Sequence, residues 1–148
     1  MFRYLWIVMI FLMLTSCNSP MNHRVQSPGV DSHKLEMMSL NYFQFKVEFH
    51  WLVGPFGNAN TDSHLLVILR DNNGIPKSLP DEFFLEFFST MPSMGHPMSR
   101  AGNFERVSEG VYINKTIRFS MDGEWQHELR VVDSQYQIRD KVIWDESL

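Results

Sequence analysis

Apolar and polar residues alternate along several segments of the chain, which are separated by short runs rich in Gly, Pro, Asn and Asp. The clearest segment is residues 43–51, where every second position is apolar: Phe43, Phe45, Val47, Phe49 and Trp51. A period of two predicts a strand that buries one face. The same reasoning predicts further strands at residues 64–70, 83–88, 104–107, 111–119, 125–132 and 136–144.

Three of these segments carry additional information. Residues 64–70 form a continuous apolar run, which is typical of a strand buried on both sides. Residues 83–88 also have helix propensity, but their aromatic side chains and flanking prolines favour a strand. Asp122 and Gly123 are a turn signal and predict a hairpin between residues 111–119 and 125–132. About seven strands without a convincing helix predict an all-β fold, an immunoglobulin-like antiparallel β-sandwich.

The first residues do not fit this domain. Arg3 precedes a continuous apolar run from Trp6 to Leu14, and small residues close the run, as in a secretory signal peptide. The run is too short for a typical spanning helix, which needs about 20 residues. The chain is therefore divided into a leader (1–16), a lipidated cysteine with a flexible tether (17–39) and the sandwich (40–148).

The one cysteine of the chain stands at the expected cleavage site. Leu14-Thr15-Ser16-Cys17 resembles the bacterial lipobox, which implies that Cys17 is acylated and anchors the protein in a membrane. Asn18 lacks the Asp that favours inner-membrane retention, so the outer membrane is favoured. The alternative is an uncleaved anchor helix. In either case the domain lies outside the cytoplasm, as a periplasm-facing envelope protein.

Charge and motifs exclude several classes of function. The net charge is −4 and no basic cluster is present, so we expect no nucleic acid partner. No nucleophile elbow, phosphate loop or zinc-protease helix motif occurs, so we expect no enzymatic activity. His23 and His33 lie in the tether near Met21, Met37 and Met38, and a second metal-capturing segment remains an open alternative there.

An unusual loop follows the strand at 83–88. Residues 91–98 contain three methionines and a histidine, namely Met91, Met94, His96 and Met98. Thioether and imidazole form a soft ligand set that favours Cu(I) over hard cations. In an extended segment Met94, His96 and Met98 would share a face. The alternative is a Met-rich apolar plug over the core.

The motifs around this loop resemble the YtkA-like and FixH-like family of bacterial extracytoplasmic domains, over about 60 residues. The resemblance implies a small immunoglobulin-like sandwich and an association with copper handling. It also implies that Met91, Met94, His96 and Met121 are candidate ligands. A lipobox replaces the transmembrane anchor of the FixH branch. The matching residues are Met91-Pro92-x-Met94-Gly95-His96, Gly110-x-Tyr112 and Phe119-x-Met121-x-Gly123-x-Trp125.

Two hypotheses follow for the function. In the first, the loop and Met121 meet at one end of the sandwich and bind copper, with Trp125 as a cover, and the protein binds or passes on copper to an apo-cuproprotein. Trp125 could instead be a core tryptophan bonded to backbone. In the second, the Met-rich loop is a metal-free contact surface for another envelope protein.

Overall fold

The computed structural model describes residues 37–148. The leader, Cys17 and the tether through residue 36 lie outside the described residues. Within 37–148 there are nine strands and no helix that could cross a membrane. The strands are β1 (Met38–Leu40), β2 (Phe45–Val53), β3 (Ser63–Arg70), β4 (Phe83–Met91), β5 (His96–Pro97), β6 (Glu105–Ser108), β7 (Val111–Ile117), β8 (Glu124–Asp133) and β9 (Ile138–Ser147).

The strands form two antiparallel sheets, which confirms the all-β class and the β-sandwich. One sheet has the order β1-β2-β3-β7-β6, and the other has the order β5-β4-β8-β9. The predicted strands are present with ends shifted by a few residues, and two short strands, β1 and β5, are added. β1 includes Met38 and Ser39, which the sequence assigns to the tether.

The core lies between the sheets and follows the alternation of the sequence. In β2, Phe45 and Val47 are buried, while Phe49 and Trp51 are half-buried against the core. Because β-strand side chains alternate between faces, their polar neighbours point outward. The largest fully buried side chains are Trp125, Phe87 and Phe119, so aromatic rings fill much of the interior.

β3 differs from its prediction as a strand buried on both faces. Ser63, Leu65, Val67 and Leu69 are buried, whereas the residues between them are partly exposed. The strand lies centrally in its sheet, but no layer covers the outer face of that sheet in the described residues. The apolar run therefore places Leu66 and Ile68 on a partly exposed surface.

The predicted hairpin at Asp122 and Gly123 is wrong. β7 belongs to the five-stranded sheet and β8 to the four-stranded sheet, so residues 118–123 carry the chain from one sheet to the other. Phe119 before the turn and Trp125 after it are both buried in the core. The chain must therefore cross the end of the sandwich here, and the Asp-Gly turn serves that crossing.

Candidate metal centre

β4 and β5 are joined by a tight turn, residues 92–95. The amides of Met94 and Gly95 both donate to the carbonyl of Met91, at 3.1 and 2.8 Å. Gly95 has a φ of 65°, in the left-handed region that favours glycine. This turn removes Met94 from the strand. The prediction that Met94 shares a face with His96 and Met98 is therefore wrong.

The pairing of β4 with β5 brings three other candidates together. Met91 is directly opposite His96, and the amide of Met98 donates to the carbonyl of Ser89 at 2.9 Å. Directly opposite side chains share a face, with Cβ atoms about 5 Å apart, and residues two apart on a strand are about 7 Å apart. Met91, His96 and Met98 therefore lie on the inner face of one sheet edge, here called the β4–β5 corner.

The β4–β5 corner extends from the core to the surface. Met91 is 4% exposed and belongs to the core, Met98 is half-buried against the core, and His96 is exposed. Met94 lies outside the corner, on the turn, and is 53% exposed. An ion at the corner would thus meet a buried thioether on one side and solvent on the other.

Met121 lies at the same end of the sandwich. The end of β4 runs beside the start of β8, with Thr90 opposite Gln126. A Cβ added at Gly123 would lie 2.5 Å from the methyl carbon of Met91. Residues 118–123, here called the crossing segment, therefore pack directly against that side chain. The side chain of Met121 is 38% exposed. The fold therefore brings Met121 to the end that holds the corner.

Trp125 is a core residue in this arrangement. Its side chain is 1% exposed, its indole N–H donates to the carbonyl of Met121 at 3.1 Å, and its ring packs edge-on against Phe119. This geometry corresponds to the alternative of a core tryptophan bonded to backbone. The indole fixes the position of the Met121 segment.

A second contact holds Met121 from the other side. Met121 forms a β-bridge with Asn58, and a Cβ at Gly57 would lie 2.5 Å from the amide nitrogen of Asp122. Because backbone occupies that space, only glycine fits at position 57 without a shift.

We expect Gly57→Ala to lower the free energy of unfolding by about 1–3 kcal/mol, because the new methyl group forces the loop away from the crossing segment. Urea unfolding of this variant beside Ser93→Ala, an exposed turn substitution, measures the difference. Equal stability of the two variants would show that the loop does not pack closely on Asp122.

An ion pair lies beside the candidate site. Arg118 donates from Nε to Asp62, and Arg100 lies 3.9 Å from the same carboxylate. The hydrogen bond from Arg118 holds the pKa of Asp62 below its ordinary value. The backbones of Arg100 and Arg118 also pair with each other, which ties the chain after Met98 to the segment that leads to Met121.

A buried polar network that the sequence did not predict lies next to the corner. His127 is fully buried, with Nδ1 2.7 Å from Oγ of Ser89 and Nε2 3.3 Å from Oε2 of Glu146. The indole N–H of Trp51 donates to the same oxygen of Glu146 at 3.0 Å. Here these four residues are called the buried network. A signal was available, since His127 occupies an inward position between Trp125 and Leu129 in the alternation of β8.

The buried network contains a serine, a histidine and a carboxylate, but it is not arranged for catalysis. Ser89 and His127 are both 0% exposed, so a substrate cannot reach the hydroxyl. The hydroxyl of Ser89 is also within hydrogen-bond distance of the carbonyl of Gln126, at 3.1 Å. A nucleophilic serine must be open to its substrate, so this constellation has no such role in the folded sandwich.

The donor atoms at the corner determine which metals fit it. Within residues 37–148, no group of three or more His, Cys, Asp or Glu side chains could hold a metal ion. Zinc prefers Cys, His and carboxylate ligands, whereas two thioethers with one imidazole suit Cu(I). Ligand atoms around one ion lie within about 4–5 Å of each other, which long Met side chains can reach from neighbouring β positions.

Comparisons with known proteins give no family for the chain. No family model and no curated protein sequence matches it. A copper-bound glutamate-to-glutamine variant of FetP from uropathogenic Escherichia coli F11 matches with 13% identity and a TM-score of 0.48. The match covers 74% of this chain and 91% of the FetP chain. As-isolated FetP matches with 13% identity, 71% and 88% coverage and a TM-score of 0.46.

A third solved structure, a copper-bound glutamate-to-glutamine variant of Campylobacter jejuni P19, matches with 8% identity. The match covers 71% of this chain and 90% of that chain, with a TM-score of 0.47. At identities this low and TM-scores below 0.5, the function must be argued from the residues of this chain.

Proposed function

We propose that the domain binds one copper ion, as Cu(I), at the β4–β5 corner. The observation that carries the proposal is the register of β4 and β5, which places Met91 opposite His96 and puts Met98 on the same face. A soft ion would be held by two thioethers and one imidazole. Met121 and Met94 lie in neighbouring segments, and one of them could supply a further thioether.

The proposed site also suits transfer of the ion. Met91 is buried while His96 is exposed, so the ion would be shielded on one side and accessible on the other. We propose that the protein carries copper in the cell envelope, anchored through acylated Cys17, and passes it to an apo-cuproprotein.

The test of this proposal is an anaerobic titration of the purified protein with Cu(I) against a competing chelator of about nanomolar affinity. We expect one tightly bound Cu(I) per chain. Met37→Leu is the matched control, because Met37 is 58% exposed and lies next to β1, away from the corner. Equal binding by the control is expected. If the wild-type protein does not compete with the chelator for Cu(I), the proposal is wrong.

A metal-free interaction module is the second candidate, and the exposed apolar side chains at the same end favour it. Leu52 is 53% exposed and Phe56 is 38% exposed, and Met94 and Met121 are also exposed. Adaptable Met-rich surfaces are used for protein contacts. If the titration shows no Cu(I) binding, crosslinking in the envelope through this end of the domain would identify a partner.

A further inference from the structure

β9 is an edge strand whose second side is open. It pairs with β8 in the four-stranded sheet, and no further strand pairs with β9 within residues 37–148. The pairing is regular from Asp140 to Ser147, because the irregularity of this ladder is confined to the part opposite Val131 and Val132. A long regular edge presents a row of N–H and C=O groups to any strand that approaches it.

The alternation of backbone groups across the sheet identifies which residues of β9 face the open side. The carbonyl of Ser89 in β4 accepts from the amide of Met98, which follows β5, so the odd-numbered residues of β4 face away from β8. Successive residues point their backbone groups to opposite sides, so the even-numbered residues of β4 bond to β8. The registers carry this alternation through β8 to β9. The odd-numbered residues of β9 therefore turn their amides and carbonyls to the open edge.

Most of these groups are free between Lys141 and Asp145. The amide of Lys141 donates to the carboxylate of Asp140 at 2.9 Å. In the described part of the chain, the amides of Ile143 and Asp145 and the carbonyls of Lys141 and Ile143 have no loop or side-chain partner. The edge is partly covered before this stretch, since the amide of Tyr42 donates to the carboxylate of Asp140 at 2.7 Å. A second strand can therefore approach β9 from residue 141 onward.

The side chains along the open edge are self-complementary. On the outward face of β9, Lys141 lies two residues before Ile143 and Asp145 lies two residues after it, and all three are exposed. A twofold axis at Ile143 would place Lys141 of each copy directly opposite Asp145 of the other. On the inner face, Val142 would lie opposite Trp144. Opposite charges and apolar side chains at directly facing positions both stabilise antiparallel strands.

One facing pair would carry like charges, but each of its carboxylates has partners in its own copy. The same axis places Asp140 opposite Glu146 of the second copy. The carboxylate of Asp140 accepts from the amides of Tyr42 and Lys141. The carboxylate of Glu146 accepts from the indole of Trp51, and this side chain is 15% exposed. Both carboxylates are thus compensated within one copy, and they lie at the ends of the pairing rather than at its centre.

We propose that β9 is a dimerisation edge, which pairs antiparallel with β9 of a second copy of this chain around Ile143. The amides of Ile143 and Asp145 then donate to the carbonyls of Ile143 and Lys141 in the other copy. Charged side chains on an edge strand disfavour pairing with strands of other sequence, and their order on β9 favours pairing with itself. The two four-stranded sheets join into one, with β5 at each outer edge, so both β4–β5 corners stay open.

The proposal is tested by sedimentation equilibrium of the whole protein in excess density-matched detergent, at concentrations up to about 1 mM. We expect a reversible equilibrium between monomer and dimer in the wild type. Lys141→Glu and Asp145→Lys each place like charges opposite each other on both sides of the axis, so each should raise the dimer dissociation constant at least about tenfold. Lys115→Glu, a charge reversal at an exposed position of β7, should leave the constant unchanged. A wild-type protein that stays monomeric would overturn the proposal.

A mixture of the two single variants tests the register itself. In a dimer of Lys141→Glu with Asp145→Lys, opposite charges face each other again at both positions, so the mixture should dimerise with about wild-type affinity. The double variant Lys141→Glu/Asp145→Lys should recover for the same reason. Loss of the 3.3 Å contact between Lys141 and Glu128 does not produce such a recovery. Equal association of the wild type and both single variants, or a mixture that stays monomeric, would overturn the proposal.

Discussion

Replacing His127 with alanine is expected to lower the free energy of unfolding by about 3–5 kcal/mol. The substitution opens a cavity among four aromatic rings. It also leaves the hydroxyl of Ser89 without its imidazole partner, and leaves the carboxylate of Glu146 with the indole of Trp51 as its remaining partner in the buried network. A buried polar group that loses one of its partners is less well compensated for its desolvation.

The measurement is urea unfolding at neutral pH, with His96→Ala as the control because His96 is exposed. The control should lie within about 0.5 kcal/mol of the wild type. A loss of less than about 1 kcal/mol in His127→Ala would contradict the role given to this network.

Part of the stability lost in His127→Ala is electrostatic, and this part should become smaller at low pH. The pKa of Glu146 is lowered in the folded protein, so its ionised form stabilises the fold above the unfolded carboxyl pKa of about 4.3. That stability is lost as the pH falls through the lower, folded pKa. The difference in the free energy of unfolding between the wild type and His127→Ala should therefore decrease below about pH 4. The part of the difference that comes from lost packing should remain.

The fold was largely predictable because one-sided burial leaves a period of two in the sequence. Phe45 and Val47 in β2 are buried as the alternation predicts. The pairing of strands was harder to predict from the sequence, since Asp122 and Gly123 have the local sequence of a hairpin turn. Which sheet receives the next strand depends on the burial of Phe119 and Trp125 in one core, and this is a long-range property.

The candidate site was predictable in its residue types but only partly in its geometry. The sequence pointed to Met91, His96 and Met98 through their chemistry. The turn at Gly95 then removes Met94 from their face, which depends on a single positive φ. The sequence does not identify His127, because a lone histidine in an apolar strand carries no spacing motif. Its partners come from three other strands, β2, β4 and β9.

Removing two of the three donors at the β4–β5 corner is the sharpest test of copper binding there. The measurement is the anaerobic Cu(I) titration of a His96→Ala/Met98→Leu double variant. We expect the affinity to fall by at least about 1,000-fold, or about 4 kcal/mol, because only Met91 remains at the corner. The substitutions lie at exposed and half-buried positions, so the fold should persist.

The matched control is a Met37→Leu/His64→Ala double variant, which removes one thioether and one imidazole away from the corner. His64 lies on the outward face of β3, and Met37 precedes β1. We expect wild-type affinity in this control, beside the large loss in His96→Ala/Met98→Leu. Cu(I) binding of equal strength in both double variants would show that copper does not bind at the β4–β5 corner.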